Sequence, residues 1–260
     1  MVQMAHDTIL VATNGQALTV TLNRSSRQNA LTDAMLAELH AALDEAERWP
    51  ACRLVVIQGA NGVFCTGMDF EEAAGEQTSA DNSAPRGAPF FSLLRRFTVT
   101  PRVVVSLVDG RVTGGGVGLA SASDFVFASE RAQFGLPEAL WGLLPCSVAP
   151  FLMRRVGFQL PYAMALSTLP INARKAERLG LVDEVSDDPS IPLRRLASRV
   201  SKLEEATIAA AKRYFARLWP ISEEVEAAAL TEFDNLFSSA SVQQAIAGFA
   251  GPRRSFPWER

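Results

Sequence analysis

A chain of 260 residues that is 48% hydrophobic and 20% charged has the material to bury its own core, which excludes a disordered tail or linker. Its net charge of −3 gives no electrostatic reason to meet nucleic acid or an anionic membrane, and no apolar run approaches the ~18 residues that span a bilayer. Three cysteines, Cys52, Cys65 and Cys146, lie without CxxC spacing, against a disulfide framework or a zinc site; no basic-then-apolar signal precedes them, and a cytoplasmic protein is expected.

Thr8 to Ala12 and Ala17 to Leu22 read as two strands joined by an Asn14-Gly15 turn, a hairpin signal. Asn23 to Asn29 is polar and irregular. From Thr32, an N-cap, Leu31, Met35, Leu39, Leu43 and Ala46 recur at helical spacing until Pro50 stops the helix. Asp44, Glu45 and Glu47 are its solvated face, and His40 a boundary residue. His6, in the N-terminal tail, is the other histidine. With no G-x-S-x-G elbow, a Ser-His-Asp site has no support.

Arg53 to Gln58 has the continuous apolar character of a buried strand and is closed by Gly59. In the loop ANGVFCTGMDF, Gly67 permits a tight turn that exposes the Met68 N–H. The polar run from Glu71 to Pro89 has the composition of a flexible flap, and Phe90 to Phe97 reads as a short helix. The apolar stretch VVVSLV (103–108) then feeds an Asp109-Gly110 turn, the glycines Gly114 to Gly116 and Gly118, and a small-residue segment. This is strand, glycine loop, helix start. The first helical N–H groups have no intrahelical partner, and glycines let an oxygen bearing developing charge approach them. No GK[ST] follows, and the spacing is not G-x-G-x-x-G, so neither nucleotide loop applies; a tight turn packed on a neighbour is the bland alternative. DFVFAS (124–129) is a further strand. Pro137 suits a helix start and puts Glu138 near a helix N-terminus beside the apolar LWGLL.

After Pro145, VAPFLMRRVG, LPYAMALSTL and ARKAERLG read as short helices and LVDEV (181–185) as a brief strand. From Pro189 to Phe249 the chain reads as helical, broken at Pro220, and GPRRSFPWER reads as a surface end packed by Phe256 and Trp258.

Four segments now resemble one family in order and spacing. VVIQGANGVFCTGMDF and VDGRVTGGGVGLASASDFVFASERAQFGLPEALWGLLP are similar to the two oxyanion-hole segments of the crotonase (enoyl-CoA hydratase/isomerase) superfamily; LNRSSRQNAL resembles its acyl-carrier-binding N-terminal segment, and INARKAERLGLVDEV the region after its core. The resemblance implies an α/β fold, a crotonase-like β-β-α spiral core (1–188), with a helical C-terminal trimerisation region (189–260). It implies thioester substrates whose enolate is stabilised by two backbone N–H groups, here Met68 and Gly115, with Glu138 as the acid–base residue. Hydratases of this family carry a second glutamate where this sequence has Gly118. VFCTGMDF, GRVTGGGVGL, FGLPEALWGLLPCSVAPFLMRRVG and SFPWE further resemble the dehydratases of the HMG-synthase cassettes that install β-branches in bacterial polyketides, which share that glycine.

The expected reaction is thus dehydration of 3-hydroxy-3-methylglutaryl (HMG) on an acyl carrier protein to 3-methylglutaconyl. No cofactor is expected beyond the phosphopantetheine that carries the substrate, on carrier protein or CoA. The expected partners are the carrier protein and further copies of the chain, as a homotrimer or dimer of trimers. Asp69 is read as a catalytic helper or as a cap on backbone N–H groups. Gly67, Gly114 and Gly116 are read as lining the substrate. Arg24 and Arg27 are candidates near the mouth, and Arg86, with Arg95 and Arg96, for the substrate's free carboxylate. Cys65 and Cys146 read as small core residues. The alternatives are a single-glutamate enoyl-CoA isomerase or hydratase of acyl-CoA metabolism, and a non-catalytic scaffold that binds an acyl carrier.

Overall fold

The computed structural model of the chain describes residues 3–75, 85–251 and 255–259. It opens with β1 (Gln3–Ala5), β2 (Ile9–Asn14) and β3 (Ala17–Leu22), an antiparallel meander with Asn14 paired to Ala17 across the expected turn. A single 3₁₀ turn, Ser25–Arg27, interrupts the irregular stretch before α1 (Asp33–Arg48). The Thr32 side chain accepts from the Met35 N–H, the N-cap bond expected of it. α1 buries Met35, Leu36, Leu39, Ala42, Leu43 and Ala46, one apolar stripe laid on the sheet.

A repeating unit follows. β4 (Leu54–Gly59) joins the large sheet, β5 (Val63–Cys65) turns into a second, smaller sheet, and α2 (Phe70–Gly75) and α3 (Ala88–Val99) lead back. β6 (Val103–Val108), β7 (Arg111–Thr113) and α4 (Gly115–Ala122) repeat the path. β8 (Phe125–Ala128), β9 (Gln133–Gly135), a 3₁₀ turn over Glu138–Trp141, α5 (Ala149–Val156) and α6 (Gln159–Ser167) make the third round. β10 (Ile171–Asn172), α7 (Ala173–Arg178) and β11 (Glu184–Val185) close it. The large sheet runs β1-β2-β3-β4-β6-β8-β11, parallel from β3 onward; the small one runs β10-β9-β7-β5. This is the expected β-β-α spiral. Buried on both faces, β4 and β6 carry the unbroken runs LVVI and VVV that parallel strands need.

The helical end comprises α8 (Ser190–Val200), α9 (Glu205–Leu218), α10 (Glu223–Phe237) and α11 (Ala240–Ala250). α9 is anchored by the buried Lys212 ammonium, which donates to the Phe97 and Arg102 carbonyls and pairs with Asp124 at 2.7 Å. α10 and α11 build a separate apolar cluster with Ala73 of α2, Trp141 and Leu143. One expectation needs correction. The strand expected over 181–185 is confined to Glu184–Val185, because Leu181 and Val182 instead bond back to Ala176 and bury their side chains. The terminal aromatics Phe256 and Trp258 pack the chain end, as expected, and they do so against Trp141. Residues 76–84 of the expected flap lie outside the described residues, and its flanks are α2 and the start of α3. No helix among the described residues is long and apolar enough to cross a membrane.

Candidate active site

Two glycine turns meet at the C-terminal ends of β5 and β7. Gly67 and Gly114 both have positive φ, +85° and +54°. A Cβ on Gly67 would lie 3.0 Å from the Gly115 nitrogen and 3.1 Å from the Thr113 carbonyl oxygen, so any side chain there would cover the N–H that the second turn presents. A Cβ on Gly115 would come within 2.8 Å of Leu31 Cδ1, so a side chain there would displace Leu31 from the turn.

Backbone pairing aims the first N–H. Leu31 forms a parallel bridge with Met68: the Leu31 N–H donates to the Gly67 carbonyl at 2.7 Å and the Asp69 N–H donates to the Leu31 carbonyl at 2.9 Å. The groups flanking Met68 are therefore used on the Leu31 side, and the Met68 N–H points the other way. The Gly115 N–H opens α4 and has no intrahelical acceptor. Neither N–H finds an acceptor among the described residues. Both residues line one cavity of about 750 Å³.

Glu138 faces them. Its Oε1 lies 3.3 Å from where a Gly114 Cβ would sit, against the bare backbone of the second turn. The residue starts the 3₁₀ turn after Pro137, and the turn closes on Gly142 at φ +75°, with the Gly142 and Leu143 N–H groups both returning to it. Although the residue is partly exposed as a whole, its Oε2 is sealed from solvent and has no hydrogen-bond partner among the described residues. Burial pushes the carboxyl up to about 7, only partly offset by its own backbone N–H. A carboxyl poised there can accept a proton near neutral pH and return it.

A model of the enoyl-CoA hydratase/isomerase family matches residues 12–260. The chain belongs to that family. It is 32% identical to the bacillaene synthase dehydratase PksH of Bacillus subtilis, over 98% of each chain. A crystal structure of a putative polyketide biosynthesis enoyl-CoA hydratase (pksH) from Bacillus subtilis matches with a TM-score of 0.90 at 31% identity, covering 96% of this chain and 100% of that one. A probable enoyl-CoA hydratase of Rhizobium meliloti is 28% identical over 97% of this chain and 98% of its own. Family and relatives together make this chain a hydratase-like dehydratase.

For a family hydratase the position of Gly118 is the informative one. Gly118 is buried, and a Cβ on it would meet Phe90 Cζ at 3.0 Å, Val148 Cγ2 at 3.1 Å and Leu94 Cδ1 at 3.2 Å. Apolar side chains wall off the place from which a second acid would project, and Glu138 stands against the backbone of the second glycine turn.

Several expected site residues fall elsewhere. Gly116 packs on the Cys65 carbonyl, where a Cβ would come within 2.3 Å, so it serves packing rather than substrate. Asp69 fills the capping role. Its carboxylate is 2% exposed, paired with Arg24 at 2.9 Å and Arg27 at 2.8 Å, and it accepts from the Glu71 and Glu72 N–H groups at the start of α2. Burial alone would raise its pKa, but bonds from Arg27 and Arg24 outweigh that and hold it below the usual carboxylate range. The same pairs engage Arg24 and Arg27, the latter also meeting Glu71 at 2.5 Å; Arg27 lines the cavity and Arg24 does not. Arg95 pairs with Glu226 and Arg96 with Asp44, both away from the cavity. Arg86 does line it, with its guanidinium 5.1 Å from the Phe237 ring centroid. Cys65 is core, whereas Cys146 is half-buried on the cavity wall with its thiol pushed up to about 11 by burial, an inert state. Sequence reasoning missed Trp141, Phe233, Phe237 and Phe249 as cavity walls. The only signal was apolar residues at helical spacing, which a core position gives equally well.

Proposed function

We propose that this enzyme dehydrates 3-hydroxy-3-methylglutaryl carried as a thioester on an acyl carrier protein, giving 3-methylglutaconyl and water. The observation that carries the reading is the pairing of one sealed, elevated carboxyl, Glu138, with two unused N–H groups, while an apolar wall fills the second-acid position. The thioester oxygen accepts from the Met68 and Gly115 N–H groups, which draws charge onto that oxygen and acidifies the α-carbon. Glu138 takes the α-proton. As the Cα–Cβ double bond forms and the Cβ–O bond breaks, the same carboxyl returns its proton to the departing hydroxyl, which leaves as water. One group serving both steps requires proton and hydroxyl on one face of the substrate. Gly67 and Gly114 let the thioester approach, and Arg86 at the cavity rim is the cation for the distal carboxylate.

The polyketide relative at 32% identity supports carrier-bound substrate over free CoA. A homotrimer or dimer of trimers belongs to the same reading; Phe215 and Leu218 of α9 and Trp219 just after it, each at least 60% exposed, are the apolar face it would use. The test supplies the purified protein in parallel with carrier-bound HMG, HMG-CoA and crotonyl-CoA at matched concentrations, following the ultraviolet absorbance of the conjugated thioester. The reading expects fastest turnover on the carrier and little hydration of crotonyl-CoA. Efficient crotonyl-CoA hydration would make it an enzyme of acyl-CoA metabolism, and inactivity on all three a carrier-binding scaffold.

A further inference from the structure

The elements that bear the oxyanion donor and the base follow β5 and β9, which share the small sheet through β7 and pack side chains into the main core. Beyond those strands the two turns meet again in the second apolar cluster, where the contact between them runs through two rings. Phe70 stands two residues after Met68, at the start of α2, and Trp141 three residues after Glu138, at the end of its 3₁₀ turn. Their ring centroids are 4.6 Å apart, edge to face. In a 3₁₀ turn residues i and i+3 eclipse, so the indole lies in line with the Glu138 side chain along the same side of the turn. Trp141 is also the hub of the C-terminal aromatics, with centroids 5.2 Å from Phe249, 6.2 Å from Phe256 and 5.5 Å from Trp258. Phe256 and Trp258 stack on one another at 4.9 Å, and both line the cavity. The tail motif SFPWE is thus folded onto the catalytic turn.

We infer that Trp141 is a positioning residue: braced by Phe70 on one side and by Phe256 and Trp258 of the C-terminal tail on the other, it holds the Glu138 turn in register with the Met68 loop and keeps water from the carboxyl. The inference rests on Glu138 being the base of the proposed reaction. Breaking the Phe70–Trp141 contact leaves the two turns tied only through their strands and loosens the Glu138 turn against the Met68 loop. Removing the tail rings opens the cavity wall and admits solvent to the sealed Oε2.

Ionisable groups around Glu138 do not provide an alternative account of its state. On the following loop stands Cys146, with Glu232 of α10 acting on it. Arg27, Arg86 and Arg111 border the cavity. So do Asp33, Asp69, Glu71 and Glu72 of the opposite wall. None forms an ion pair with Glu138 among the described residues, and desolvation is the leading cause of its raised pKa.

The test compares wild type with Trp141→Phe, Trp141→Ala and Trp258→Ala in the full chain. Trp258 is 49% exposed, so its loss leaves the fold intact even if Trp141→Ala unfolds. The first readout needs no substrate: the carbon-13 carboxyl resonance that disappears in Glu138→Gln is titrated by NMR. Wild type should titrate near 7; Trp258→Ala should move the midpoint down by roughly half a pH unit or more as water enters. The second readout is kinetic. Trp258→Ala and Trp141→Ala should lower kcat by about 10-fold or more with little change in KM, Trp141→Phe should keep most of the activity, and the acid limb of the rate profile should follow the NMR midpoint. An unmoved Glu138 midpoint in folded Trp258→Ala overturns the inference, as does loss of rate through KM alone. A wild type inactive on HMG thioesters would instead refute the proposed reaction, and the NMR arm would still decide the role of Trp141 and the tail.

Discussion

Replacing Glu138 by glutamine separates the two consequences of burying a carboxyl at the head of a short helical turn. The substitution keeps the shape but cannot accept the α-proton, so dehydration should fall by roughly 10²–10⁴-fold, the scale of a lost general base, while carrier binding persists. Stability should change in the opposite sense. The folded carboxyl titrates at about 7 against an ordinary 4.5, so the native state holds its proton more tightly than the unfolded chain does. That contribution to stability is fully present below 4.5 and is lost as pH rises through about 7. At 1.36 kcal/mol per pH unit it amounts to about 3 kcal/mol, most of it between pH 5 and 8. Glutamine carries no such dependence. The stability difference between Glu138→Gln and wild type should therefore move in favour of the variant by about 2–3 kcal/mol from pH 5 to pH 8, whatever fixed cost the amide brings. Urea unfolding at a series of pH values measures it. Wild-type kcat/KM should in parallel drop tenfold per pH unit below about 7. A pH-independent stability difference, or near wild-type dehydration by the folded variant, would refute the reasoning.

Gly67→Ala should lose about 10²–10³-fold in kcat, since its Cβ would stand 3.0 Å from the Gly115 nitrogen; steady-state kinetics on the folded variant checks this. Gly118→Glu should gain no crotonyl-CoA hydration and should lower the unfolding midpoint, because the new side chain begins against Phe90, Val148 and Leu94 and overpacking costs about 1–3 kcal/mol. Asp69→Asn should destabilise by about 1–3 kcal/mol, discounted for the solvent-reachable arginines, and lower kcat through a loosened Met68 loop; denaturant titration and kinetics report both. Arg86→Met should raise KM for HMG thioesters and leave kcat nearly unchanged, the signature of a contact made equally in ground and transition states.

The parts of the fold that were legible in the sequence are those where local chemistry and tertiary demand agree. The β2–β3 hairpin, the Thr32 cap and the α1 stripe each carry their own signal, and both glycine turns were readable because no other residue fits there. Glu138 was legible from Pro137 and the family pattern. Its state was not: burial and a helix start push its pKa in opposite directions, and only the sealed Oε2 decides that burial wins. Asp69 was open between two roles because Arg24 and Arg27, more than forty positions away, cannot be placed by spacing. Trp141 was invisible for the same reason. An aromatic in LWGLL looks like core until Phe70 and the tail are brought beside it.

The most direct test of the proposed chemistry is mass spectrometry of carrier-bound HMG incubated with the purified protein, reading the ejected phosphopantetheine fragment. The account predicts loss of one water mass with wild type and an unchanged fragment with Glu138→Gln. A fragment unchanged by wild type at equimolar enzyme, or dehydrated equally well by Glu138→Gln, would contradict it.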